Sequence, residues 1–225
     1  MTKVPCPSCG ADVPFRSAAL PVRVCDYCHS AVMRLDGAFK DMGKIAVLPF
    51  DISPVQIGTS GRVDGQSFDV VGRVRWGWSD GSWNEWLLLM ADGTTRWLGE
   101  AMGQFMLLAE VDVKSLRADV IKALVAGEEV GVGREAQVEG TRYIVSDVKQ
   151  ANCIGSEGEL PFTAPAGWSV TSVDFRSDTG ACASFQRDRM EASFYAGRYV
   201  ELVELNPTNL RTIDGWDMPR LAASR

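Results

Sequence analysis

Two short stretches, CPSCG and CDYC, set Cys6, Cys9, Cys25 and Cys28 in a C-x2-C-x15-C-x2-C pattern. A gap of two residues lets one tight turn aim both sulfurs at a single ion, and the long gap leaves room for a hairpin that returns the second pair. The spacing predicts a tetrahedral thiolate site for Zn2+, with iron as the minority alternative. Four thiolates would fill the coordination sphere and leave no place for an activated water, so the ion is expected to be structural. Gly10 supplies a permissive backbone after the first pair. His29, the only histidine, is expected on the surface or behind the ligands, with a different job from Gly10. Cys153 and Cys182 have no partners at ligand spacing and read as buried apolar residues.

The second stretch with chemical potential is WGWSDGSWNEW, residues 76–86, with four tryptophans around one carboxylate. Taking Asp80-Gly81 as a two-residue hairpin turn pairs Trp78 with Trp83, Trp76 with Glu85 and Arg75 with Trp86. A second turn at Asp92-Gly93 would set Leu88 opposite Trp97. One face then carries Trp76, Trp78, Trp83 and Glu85, and the other carries Trp86 against Arg75 as a cation–π pair. These five residues are the candidate ligand- or partner-binding set, alongside the plainer reading of a packed core. Glu85 would either take a raised pKa among the indoles or accept an indole N–H. Glu100, in WLGEAMG, is the nearest second acid. GVGREA, residues 131–136, fits a loose dinucleotide-loop pattern, but a β pattern follows it and no helix does. No catalytic residue is assigned.

The elements that must carry these residues are mainly strands. VDGQSFDVV (Val63–Val71) resembles VEGTRYIVS (Val138–Ser146), and GQFMLLAEV (Gly103–Val111) resembles GRYVELVEL (Gly197–Leu205). Such ordered recurrence predicts two related halves, each opening on a glycine-turn hairpin and ending on a strand. Alternation places Phe68, Val70 and Gly72 on one face and Asp69, Val71 and Arg73 on the other. One helix is predicted in SLRADVIKALVAG, capped by Ser115, with an apolar stripe of Leu116, Val120, Ala123 and Leu124 and a stop at Gly127. The expected class is mainly β: an N-terminal zinc ribbon and a duplicated antiparallel, barrel-like body with one connecting helix. The divisions are 1–36 for the ribbon, with DGAFKDMGK as the join, 37–112 for the first half, 113–127 for the helix, 128–206 for the second half and 207–225 for a tail.

The chain has 225 residues, 23 Lys and Arg against 29 Asp and Glu, and a net charge of −6. Up to Lys40 five basic side chains face three acidic ones, so the remainder carries all of the negative excess. An acidic body is a poor match for phosphate backbones, which argues against nucleic acid and for a protein partner or a cationic ligand. No apolar stretch reaches the ~18 residues of a membrane span. The opening MTKVPCPSCG lacks the apolar core of a secretion signal, and a cytoplasmic location is expected.

With CPSCG…CDYC, QIGTSGRVDGQSFDVVGRV, WNEWLLLMADGTTRWLGEAMG and EGELPF in order, the chain resembles a bacterial family, the domain of unknown function numbered 4178, preceded by a zinc ribbon. That resemblance carries no reaction and no catalytic residues. It implies a setting among membrane- or stress-associated bacterial operons that include polyamine-enzyme-like genes. The leading expectation is a zinc-stabilised, non-catalytic adaptor or scaffold that engages a protein. The alternatives are a receptor that holds a cationic, polyamine-like ligand on the Trp and Glu85 face, and an enzyme with Glu85 and Glu100 as acid and base.

Overall fold

The computed structural model describes residues 1–214. Its N-terminal segment forms β1 (Thr2–Pro5), β2 (Asp12–Phe15), β3 (Val22–Val24), β4 (Ser30–Leu35) and β5 (Ala38–Lys44). β1 pairs with β2, while β3, β4 and β5 pair in order. DGAFKDMGK is therefore no join. Asp36 and Gly37 both take positive φ, as a two-residue turn with right-handed strand twist requires, and the chain runs straight on into β5.

The first half of the body comprises β6 (Ser60–Val63), β7 (Gln66–Trp78), β8 (Gly81–Met90), β9 (Thr95–Ala101) and β10 (Gln104–Val111). α1 (Asp119–Ala126) follows, then β11 (Glu135–Val138), β12 (Thr141–Leu160), β13 (Ser169–Arg176), β14 (Ala181–Arg187) and β15 (Ala192–Val200). The halves join at two seams, β10 with β15 and β7 with β12, so β7-β8-β9-β10-β15-β14-β13-β12 closes into one antiparallel barrel of eight strands. Closure removes the free edges that each four-stranded meander would otherwise expose.

The duplication is visible in the backbone. Asp64-Gly65 and Glu139-Gly140 are both two-residue turns with positive φ at each position, closing Val63 on Gln66 and Val138 on Thr141. Eight residues after each opening valine the register slips, at Val71 in β7 and at Ser146 in β12. The slip at Val71 breaks the expected alternation. Val71 and Val74 face the lumen with Trp76, whereas Arg73 lies on the outer side with Phe68, Val70 and Trp86. The second recurrence fails: Gly103 sits in the turn before β10, Gly197 lies within β15 opposite Leu108, and Leu202–Leu205 is a short 3-10 turn.

Three apolar clusters fill the body. The lumen holds Val71, Val74, Trp76, Leu87, Trp97 and Leu108, and Leu20 from the ribbon packs among them. Outside the first half, Phe68, Trp86, Leu88 and Leu98 lie under Val55, Leu202 and Leu205. Outside the second half, Val145, Phe175, Phe185 and Phe194 lie under α1 and β11. The helix begins later than expected. Ser115 ends a 3-10 turn, where its hydroxyl donates to the Asp112 carbonyl, and Ala118 precedes α1 with no side-chain cap. Leu116, Val120 and Leu124 are buried as the stripe requires, and Gly127 closes the helix at φ 85°. In the expected tail, Thr208 pairs with Ser60 and Arg211 binds Asp51, while residues 215–225 of that tail lie outside the described residues. Among the described residues no helix is long and apolar enough to cross a membrane.

Candidate metal centre and barrel lumen

The sulfurs of Cys6, Cys9, Cys25 and Cys28 all lie within 4.8 Å of one another. Cys6 and Cys28 stand 3.7 Å apart and Cys9 and Cys25 3.9 Å apart. A tetrahedron with metal–sulfur bonds of about 2.3 Å has edges of about 3.8 Å, so the donor set fits one four-coordinate ion. The two knuckles are built alike. Gly10 N–H donates to the Cys6 carbonyl at 2.8 Å, and His29 N–H to the Cys25 carbonyl at 2.9 Å. Both residues are left-handed, at φ 79° and 58°. The expectation that they do different work is wrong for the backbone, because each simply closes its turn.

The tryptophan hairpin turns one residue earlier than expected, at Ser79-Asp80, and pairs Trp78 with Gly81, Trp76 with Trp83, Val74 with Glu85 and Arg73 with Trp86. A Cβ on Gly81 would come within 3.0 Å of the Trp78 ring, so the glycine makes room for an indole and is not the turn residue. The next hairpin has three loop residues, with Gly93 at φ 86°, which sets Leu87 opposite Trp97 and Leu88 opposite Arg96. The partition by face survives. Trp76, Trp78, Trp83 and Glu85 share the lumen side, while Trp86 is outside beneath the Arg73 guanidinium, 4.5 Å from its ring centre. Arg73, not Arg75, is the cation–π partner.

Trp76 and Trp86 are fully buried, so neither offers a platform to a protein partner. Glu85 accepts the indole N–H of Trp76 at 2.8 Å and of Trp83 at 3.0 Å, and Gln186 donates to it from across the barrel. Burial pushes its pKa up against these three donors, and the nearby Asp174 adds to the rise. Glu100 is no partner for it. Its carboxylate lies on the outer side, accepting from Ser53 Oγ at 2.6 Å, Asn84 Nδ2 at 3.2 Å and Trp86 Nε1 at 2.8 Å. The acid–base pair is thus split across the sheet. Beside Glu100, Asp51 binds Arg73 and Arg211; burial would raise its pKa, but the Arg73 charge and the bonds from Arg211 and Asn84 hold it below the usual carboxylate range.

Glu85 opens onto a cavity of about 290 Å³ lined by all eight barrel strands. That volume suits a small ligand. Its walls include Trp78, Trp83, Trp97, Phe162, Tyr195 and Tyr199, and its ionisable residues include Glu85, Asp147, Asp174 and Lys149; Glu100 borders it from β9, with its carboxylate bound to Ser53, Asn84 and Trp86. Burial pushes Asp174 up to about 6, opposed by a hydrogen bond from Ser184, raised further by Asp147 and lowered by Lys149. Lys149 pairs with Asp147 and lies 5.1 Å over the Trp78 ring. Asp174, Asp147, Gln186 and Phe162 were not picked out from the sequence. A signal was there: Ser172 and Asp174, and Ser184 and Gln186, alternate with fully buried Val173, Phe175 and Phe185. Polar residues in period two on strands buried on their other face mark a wet lumen. Cys153 and Cys182 are buried as expected, and burial pushes both thiols up to about 12.

No curated protein and no solved structure matches the chain. A family model described as Domain of unknown function (DUF4178) matches residues 56–202, which take in every strand of the barrel and nearly all of the lumen just described, and the chain belongs to that family.

Proposed function

We propose that the barrel is a non-catalytic receptor for a small cationic, polyamine-like ligand, and that zinc held by Cys6, Cys9, Cys25 and Cys28 is a structural ion. The observation that carries this reading is the charge imbalance of the lumen. Glu85 is satisfied by three neutral donors, Asp174 has Ser184, and Lys149, the one cation lining the lumen among the described residues, is already paired with Asp147. A ligand ammonium would supply the missing charge, and the indole and phenol faces would favour it further. Reduced thiolates at the ribbon suit a cytoplasmic setting. Calorimetry with spermidine is the test. The wild type should bind, and Glu85→Gln should lose about tenfold in affinity, the scale of one charge-assisted hydrogen bond; absence of heat, or equal affinity in the variant, refutes it.

An adaptor role is the second reading, and it moves from the tryptophans to the ribbon and linker. Tyr27 on the second knuckle and Phe50 in the linker are 79% and 78% exposed. A protein partner captured by the wild type and lost with Tyr27→Ala and Phe50→Ala would favour it.

A further inference from the structure

The ribbon is wired into the barrel at the end of β12. Glu159 pairs with Arg23, and Leu160 with Val22, so β3 continues the sheet directly from a barrel strand. The Glu159 carboxylate is fully buried. It is held almost wholly by the ribbon: Arg16 N–H donates at 2.7 Å, Ser17 N–H at 3.1 Å and Arg23 Nη1 at 3.3 Å. Leu20, from the same ribbon loop, is buried in the lumen cluster beside Leu160. Three residues beyond Glu159, Phe162 forms part of the cavity wall, stacked on Trp97 at 6.0 Å and edge-on to Trp168 at 5.5 Å.

The ribbon cannot hold this arrangement alone. Its buried residues fall into two small clusters, Val4, Cys6, Val13, Phe15, Cys25 and Val32 in one and Val22, Val24, Ala31 and Ile45 in the other, and two of the first are the proposed ion's ligands. A core of that size depends on its metal for folding. Once the ribbon loosens, Glu159 loses the donors that compensate its burial. A bare carboxylate in that place is too costly to remain, so Glu159 must take up a proton or turn toward water, and either change frees the end of β12 to move. Gly72 and Gly158 lock the crossing up to the Glu159 carbonyl, where a Cβ on either would come within 2.1 Å of the opposite strand's carbonyl oxygen. The displacement therefore passes forward, through Leu160 and Pro161, to Phe162.

We propose that the metal state of the ribbon controls the lumen, with Leu20 and Glu159 as the coupling residues and Phe162 as the part of the wall that responds. Its affinity arm rests on the lumen being the ligand site; its structural arm does not. The test compares the zinc-loaded full chain with the same protein stripped by a chelator, using hydrogen exchange of residues 158–164 and calorimetry with spermidine. Stripping should speed exchange in that segment at least tenfold and weaken spermidine binding about tenfold. Zinc-loaded Glu159→Gln and Leu20→Ala, which keep all four thiolates, should raise exchange in the same segment without loss of zinc, and they decide the matter if the stripped chain aggregates. Exchange at 158–164 that ignores both stripping and Glu159→Gln overturns the coupling. If neither form binds spermidine while that exchange still responds, the coupling stands and the ligand reading falls.

Discussion

His29 and Gly10 occupy the same backbone position, one residue past the second cysteine of each knuckle, and the left-handed region costs an ordinary residue about 1–2 kcal/mol. Histidine accepts that region more readily than most side chains, and a β-branched residue hardly at all. His29→Gly should therefore keep one metal per chain and resist chelators as the wild type does. His29→Val should lose about 1–2 kcal/mol of ribbon stability and release metal sooner. Loading the site with cobalt(II) makes the check optical, because four thiolates give an intense sulfur-to-metal band. A weakened band in His29→Gly would mean that the imidazole is a ligand after all.

Strand β7 shows what an element can impose on its residues. At Gly72 it crosses β12 so closely that an added Cβ would lie 1.9 Å from the Glu159 carbonyl oxygen. Backbone cannot yield there without parting the seam that closes the barrel. Gly72→Ala should cost about 3 kcal/mol or more, a fall in melting temperature of roughly 6–12 °C for a chain of this size. Gly99→Ala is the control, since its Cβ would meet Met106 at an ordinary 3.5 Å; equal melting of the two variants would mean the crossing is looser than described. The same strand marks how far local sequence carries. Asp64-Gly65 and Glu139-Gly140 were readable because a two-residue turn needs positive φ at both positions. The slip at Val71 was not, because no residue type announces a bulge, and one extra residue moves Arg73 from the lumen side to the outside. Likewise Gly81 mimicked a turn residue while serving the Trp78 ring.

At the scale of the molecule, closure depends on β7 meeting β12 and β10 meeting β15, pairings between distant strands whose partners no local pattern names. The cysteine spacing and the facing of Trp76, Trp83 and Glu85 could be read beforehand; the period-two pattern on β13 marks the face that Asp174 takes, but not that it meets Glu85, which comes from the other half of the duplication. Closure also has an electrostatic consequence. Asp174 titrates at about 6 in the fold against 3.8 for the free side chain. The folded state thus holds this proton more tightly than the unfolded one. The resulting stabilisation is fully present below about pH 4, declines between about pH 4 and 6, and is gone above that. Asp174→Asn does not titrate, so its stability relative to wild type should rise across the same window and level off at no more than about 3 kcal/mol. The difference should be measured by urea unfolding of zinc-loaded protein at several pH values, so that effects shared by both proteins cancel. A gap that is flat with pH would place Asp174 in contact with water. Ligand binding should run the other way, since a cation needs the ionised carboxylate: wild-type affinity for spermidine should climb as pH rises through about 6, and Asp174→Asn should lose that climb. A lumen made less stable by its charge is what the proposed recognition site, kept for binding rather than for packing, requires.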